Sequence, residues 1–129
     1  MNRKTVAFDW GGTLNRFPIL RELFHNCPEA HVISAYPVTN TPEQVKQSRS
    51  NYAKEMKIDQ SRVHMTPHPA KGTMPDSEVG YKAGVEKAKK MKEVGAVILI
   101  DDNHYVCHAV RDAGLFAMHI CGSKELATK

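Results

Sequence analysis

Apolar and polar positions along this chain follow two rhythms that alternate in order. Short apolar runs at Lys4 to Asp9, His31 to Ala35, Arg62 to Met65, Ala96 to Asp101 and Leu115 to Ile120 read as strands. Between them the spacing is helical. From Phe17 to Cys27, apolar residues at 17, 19, 20, 23 and 24 form one stripe, and Pro28 stops it. Thr41, Pro42 and Glu43 open a helix that runs to about Lys57, because Thr is a good N-cap and Pro suits the first helical position. Thr66 to Ser77 holds Pro67, Pro69, Gly72 and Pro75 and reads as a loop. Glu78 to Val94 predicts a helix closed by Gly95, and Tyr105 to Ala113 another, followed by Gly114. There is no internal repeat, and no low-complexity tail beyond the final few residues.

Strand and helix in alternation imply right-handed crossovers. The predicted fold class is therefore α/β: a Rossmann-like three-layer sandwich with a parallel sheet of about five strands, in one domain spanning 1–129. In such sheets ligands bind at the carboxyl ends of the strands. Asp9, Ser34, Asp101 and Asp102 all fall at those ends, so acids and a hydroxyl far apart in sequence converge on one edge.

Composition narrows the setting. With 41% hydrophobic and 25% charged residues, the chain reads as soluble and globular. The longest apolar run, Ala96 to Ile100, is far too short to span a membrane. Met1 to Thr5 runs into the first strand without a leader-like apolar stretch. Cys27, Cys107 and Cys121 are scattered, with no Cys-x-x-Cys, which points to reduced thiols and a cytoplasmic location. The net charge of +4 suits anionic ligands without requiring them. Lys82, Lys87, Lys89, Lys90 and Lys92 share one helix. A solvated face accounts for this run better than a nucleic-acid interface does, because no aromatics are interleaved with it.

Four segments carry candidate chemistry. VAFDWGGTL (6–14) is an apolar strand ending in Asp9, with Gly11 and Gly12 letting the chain turn away. HVISAY places Ser34 at the end of the second strand. Lys82 lies in the first turns of the Glu78 to Val94 helix, with Lys71 in the preceding loop as its rival. VILIDDN ends the fourth strand in Asp101 and Asp102. Each has a plain alternative when taken singly: a turn serine, a surface lysine, an acid pair capping the next helix.

Together, in this order, the segments resemble the four motifs of the haloacid dehalogenase superfamily over essentially the whole chain. Asp9-Trp10-Gly11-Gly12-Thr13 is similar to that family's Asp-x-Asp-Gly-Thr, Ser34 to its second motif, Lys82 to its third and Asp101-Asp102 to its fourth. The resemblance implies a phosphohydrolase in which Asp9 attacks phosphorus and forms an aspartyl-phosphate. Mg²⁺ is the implied cofactor, held by Asp9, the Gly11 backbone carbonyl, Asp101 and Asp102. Ser34 and Lys82 would bind the phosphoryl oxygens, with Trp10, Gly12 and Thr13 around them.

Position 11 departs from the family pattern. The family's phosphatases carry a second Asp there, which protonates the leaving group and later activates water, and Gly11 cannot. Such help is worth about 10²–10⁴-fold. The expectation is a slow or specialised enzyme, or a relative that only binds a phosphorylated ligand, a nucleic-acid end or a protein partner. Leu14 to Ala30 is too short for a cap domain, so the site is expected to be open, with a neighbouring subunit as a conceivable lid. His104 and His108 lie four apart but lack a third ligand, and His64 and His68 are no stronger as metal ligands. His104 and Trp10 remain candidates for the pocket wall.

Overall fold

The computed structural model describes residues 4–122, so the reading of Met1 to Arg3 and of the final residues lies outside it. Five strands form one parallel sheet: β1 (Thr5–Phe8), β2 (His31–Pro37), β3 (Val63–His68), β4 (Ala96–Asp101) and β5 (Phe116–His119). Their order is β3-β2-β1-β4-β5. Four helices connect them: α1 (Pro18–Asn26), α2 (Pro42–Met56), α3 (Asp76–Val94) and α4 (His104–Asp112). The three-layer α/β fold expected from the sequence is the one observed, and no helix among the described residues is long and apolar enough to cross a membrane.

The side chains of β1 and β2 separate the two cores. Phe8 and Val32 face one way and join Leu14, Phe24, Ala53 and Met56 beneath α1 and α2. Ala7 and Ile33 face the other way and join Ala83, Met91, Val106 and Val110 beneath α3 and α4. The chain thus changes faces after β3, and the strand order reverses between β1 and β4. In open parallel sheets that reversal opens a crevice at the carboxyl edge. Because α1 and α2 both contribute buried side chains to the core, the segments between β1 and β3 belong to the sandwich, and among the described residues no cap stands over its edge.

Several boundaries differ from the expectation: β2 runs two residues past Ala35 to Pro37, which leaves Ser34 inside the strand rather than at its end, and α3 starts at Asp76 rather than Glu78. Strand β3 does not end at Met65 but continues through Thr66 and Pro67 to His68, pairing Tyr36 with Pro67 and Pro37 with His68. It is an edge strand, so Pro67 can lack an N–H on the open side without breaking the ladder. The predicted loop is correspondingly shorter. Helix α4 is capped by Asn103, whose Oδ1 accepts from the Tyr105 and Val106 amides. Asp101 and Asp102 are therefore not needed as the helix cap.

Candidate active site

The chain leaves β1 at Asp9 through a tight π-type turn, Trp10–Leu14. Gly12 makes this possible. It sits at φ +76°, and a Cβ there would overlap the Asp102 carboxylate. Gly11 is different: φ is −66°, and a Cβ would meet nothing within 4 Å. The turn folds Thr13 back under Asp9, and the buried Thr13 hydroxyl donates to Asp9 Oδ2 at 3.4 Å. Thr13 thus positions the carboxylate rather than lining the cleft.

Lys87 occupies the centre of the site. Its Nζ lies 2.7 Å from Asp9 Oδ1 and 2.8 Å from Asp101 Oδ2, and the residue is only 2% exposed. Asp101 also accepts the Asn103 amide at Oδ1, so both its oxygens are held. Asp102 is the exposed acid of the pair. Among the described residues, Asp9, Asp101 and Asp102 are the group of three whose ligand atoms converge, all within 4.8 Å of one another.

This placement corrects the assignment of Lys82. Five residues of helix turn Lys82 about 140° away from Lys87. Lys82 is exposed and lines a separate depression beside Pro67, Tyr81 and Val85. Lys71, the rival, lies at the mouth of the cleft with its side chain exposed. Lys87 could have been found from the sequence. It stands four residues after Ala83 and four before Met91, inside the buried stripe of α3, whereas Lys82, Lys89 and Lys92 fall outside it.

Close packing of α3 on α4 brings Lys87 within reach of both acids. A Cβ on Gly84 would come within 2.6 Å of the Val106 carbonyl oxygen, and one on Gly80 within 2.8 Å of Tyr105 Cβ. These two glycines let the helix backbones approach closely, which a side chain at either position would prevent.

Three carboxylates share one ammonium. Burial pushes the Asp9 carboxyl well above the usual carboxylate range; Lys87 opposes this, and the Asp101 and Asp102 charges add to it. Asp102 is raised too, by burial and by Asp101. Burial pulls the Lys87 ammonium down, but Asp101 and Asp9 outweigh it and hold Lys87 charged, above the usual lysine range. With all three carboxyls ionised, the site would carry more negative charge than its one cation neutralises, so without a metal it holds protons instead. A hard divalent cation with oxygen ligands fits this donor set, since Asp9, Asp101 and Asp102 can face a common point and Asp102 is open to water.

These groups line a cleft of about 570 Å³ at the carboxyl ends of β1, β2 and β4. Ser34 is buried on its wall, and Trp10 and Gly11 line it as well, whereas Gly12 serves the turn. Trp10 stacks on Tyr52 of α2, ring centroids 4.5 Å apart and planes 22° apart. Among the histidines, His68 lines the cleft, with Nδ1 2.6 Å from the Pro69 carbonyl oxygen. No local pattern distinguishes His68, since its place depends on β3 reaching three residues further than its apolar run. His64 is remote, paired with His31 at 2.9 Å, and burial together with His31 pulls it down to about 4. His104 rests against Tyr105 and His119 and is not among the lining residues, and His108 pairs with Asp112.

No family model and no curated protein matches the chain. Among solved structures it is similar to a hexameric APS kinase from Thiobacillus denitrificans, at 17% identity and a TM-score of 0.42. The match covers 92% of this chain and 24% of the kinase chain.

Proposed function

We propose that this chain is a Mg²⁺-dependent phosphohydrolase of the haloacid dehalogenase type, slow because it lacks the general acid–base at position 11. The observation that carries this reading is the convergence of Asp9, Lys87, Asp101 and Asp102 in one cleft at the topological switch point. A bound Mg²⁺, held by Asp9, Asp102 and the Gly11 carbonyl with Asp101 directly or through water, would neutralise charge between nucleophile and phosphoryl group.

The protein's own groups then divide the work. An Asp9 oxygen attacks phosphorus, and the bond to the leaving oxygen breaks as the new O–P bond forms. Lys87 keeps Asp9 oriented and balances charge that the displacement shifts onto the phosphoryl oxygens. Ser34, buried within β2 on the cleft wall, donates its hydroxyl to one of those oxygens. The leaving oxygen takes its proton from solvent, because Gly11 supplies none. Water then attacks the aspartyl-phosphate, again without a carboxylate to accept its proton. Both steps favour substrates with good leaving groups. Three free cysteines, Cys27, Cys107 and Cys121, agree with a cytoplasmic location.

A phosphatase assay with Mg²⁺ and an aryl phosphate tests this reading. Weak activity is expected in the native chain and none in Asp9→Asn. Gly11→Asp should be faster, toward the about 10²–10⁴-fold that such a group contributes; position 11 has ordinary φ and open space for the new side chain. Activity surviving Asp9→Asn would remove Asp9 as nucleophile. The missing carboxyl at position 11 also favours a second reading, a protein that binds phosphorylated ligands without turnover. Inactivity of both the native chain and Gly11→Asp, with phosphate binding retained, would select it.

A further inference from the structure

We infer that the cleft takes a phosphomonoester whose leaving group carries a flat aromatic ring set off from the phosphoryl group by a spacer, the chemistry of a nucleoside monophosphate. This rests on the phosphoryl-binding reading above and concerns the other end of the cleft. One wall is a single stripe of α3 running from Lys87 through Ala83 and Gly80 to Asp76. Eleven residues of helix make that wall about 16 Å long, far more than a phosphoryl group occupies.

Aromatic side chains stand along it. Gly80 leaves room for Tyr105, whose Cβ lies 2.8 Å from where a Gly80 Cβ would be. The Tyr105 ring lines the same cleft, on the α4 side of that wall, and it is 37% exposed. From the opposite face of the sheet, α2 contributes Tyr52, its ring fixed by the Trp10 stack. Polar groups alone would suit a sugar phosphate; half-open rings from both helical layers suit a ligand with a π face. The length of the α3 wall and the cleft volume of about 570 Å³ favour a ring carried on a sugar over one bonded directly to the phosphate oxygen. With its Nδ1 proton on the Pro69 carbonyl, His68 retains Nε2 as an acceptor in the same cleft for the polar edge of such a ring.

Calorimetric titration of the native protein with Mg²⁺ tests this. The probes are adenosine 5′-monophosphate, phenyl phosphate, ribose 5-phosphate and inorganic phosphate. The nucleotide is expected to bind at least about tenfold tighter than ribose 5-phosphate, with phenyl phosphate showing little of that gain. Tyr105→Leu should remove most of the advantage and leave inorganic phosphate affinity unchanged, and Tyr52→Leu should reproduce the effect if Tyr105→Leu fails to fold. Equal affinities for nucleotide and ribose 5-phosphate, with inorganic phosphate still bound, would overturn the ring site and spare the phosphoryl site. Phenyl phosphate matching the nucleotide would overturn the spacer. Failure to bind inorganic phosphate would overturn the phosphoryl reading and the ring site with it.

Discussion

Replacing Lys87 with methionine removes the one ammonium between Asp9 and Asp101 while keeping most of the side chain's volume. No cavity opens, so the cost is electrostatic. The two ion pairs are 2.7 and 2.8 Å long, and the Lys87 and Asp101 side chains are each 2% exposed. Removing one partner of a buried pair strands the other, at about 3–5 kcal/mol. Lys82, exposed on the same helix, should lose no more than about 1 kcal/mol on the same change. Urea unfolding of both variants at pH 7 measures the difference directly, and the melting temperature of Lys87→Met should fall on the order of 10 °C. There is an internal check. Stranded carboxylates can be relieved by protons, so the Lys87→Met deficit should shrink as pH is lowered toward 4. A Lys87→Met variant as stable as Lys82→Met would refute the buried-lysine geometry and, with it, the placement of Lys87 rather than Lys82 between the two acids.

Other consequences can be measured independently. Gly12→Ala should abolish Mg²⁺ binding and cost about 1–3 kcal/mol, because it combines a left-handed φ with overlap on Asp102; a variant that binds Mg²⁺ normally would contradict the turn geometry. The Asp9 carboxyl is pushed up to about 8 without metal, so protons compete with Mg²⁺, and affinity should rise from pH 6 to pH 8. The sign for stability is opposite. A raised carboxyl favours the folded chain below its unfolded value of 3.8, and that contribution is lost as pH climbs toward about 8. Mg²⁺ should restore it, and a metal-free melting temperature unaffected by Asp9→Asn across this range would count against the shift. Gly84→Leu should separate α3 from α4, lowering stability and weakening phosphate binding together.

The fold was largely legible because two hydrophobic periods alternate cleanly, and because a parallel sheet fixes where the polar strand ends must meet. Asp9, Asp101 and Asp102 converge as strand-end residues should, whereas Ser34 joins them from inside a strand that runs on to Pro37. Lys87 was hidden in a run of five lysines, where charge counting points to a solvated face. Only the helical phase, with Ala83 and Met91 on either side, separates the buried lysine from its neighbours. Strand β3 extends past its apolar run because an edge strand tolerates Pro67, a fact set by sheet order rather than by local composition. The Trp10–Tyr52 stack joins a β1 turn to α2 across forty-two positions, and no local pattern encodes it.

The claim at the centre is that Asp9 carries a phosphoryl group. Incubation with Mg²⁺ and acetyl phosphate, acid quenching and peptide mass spectrometry would detect it directly. A phosphoryl adduct is predicted on the peptide containing Asp9, absent in Asp9→Asn. It should be long-lived in the native chain and shorter-lived in Gly11→Asp, where a carboxylate can activate the hydrolytic water. Phosphate release with no adduct at Asp9, undiminished in Asp9→Asn, would contradict the account.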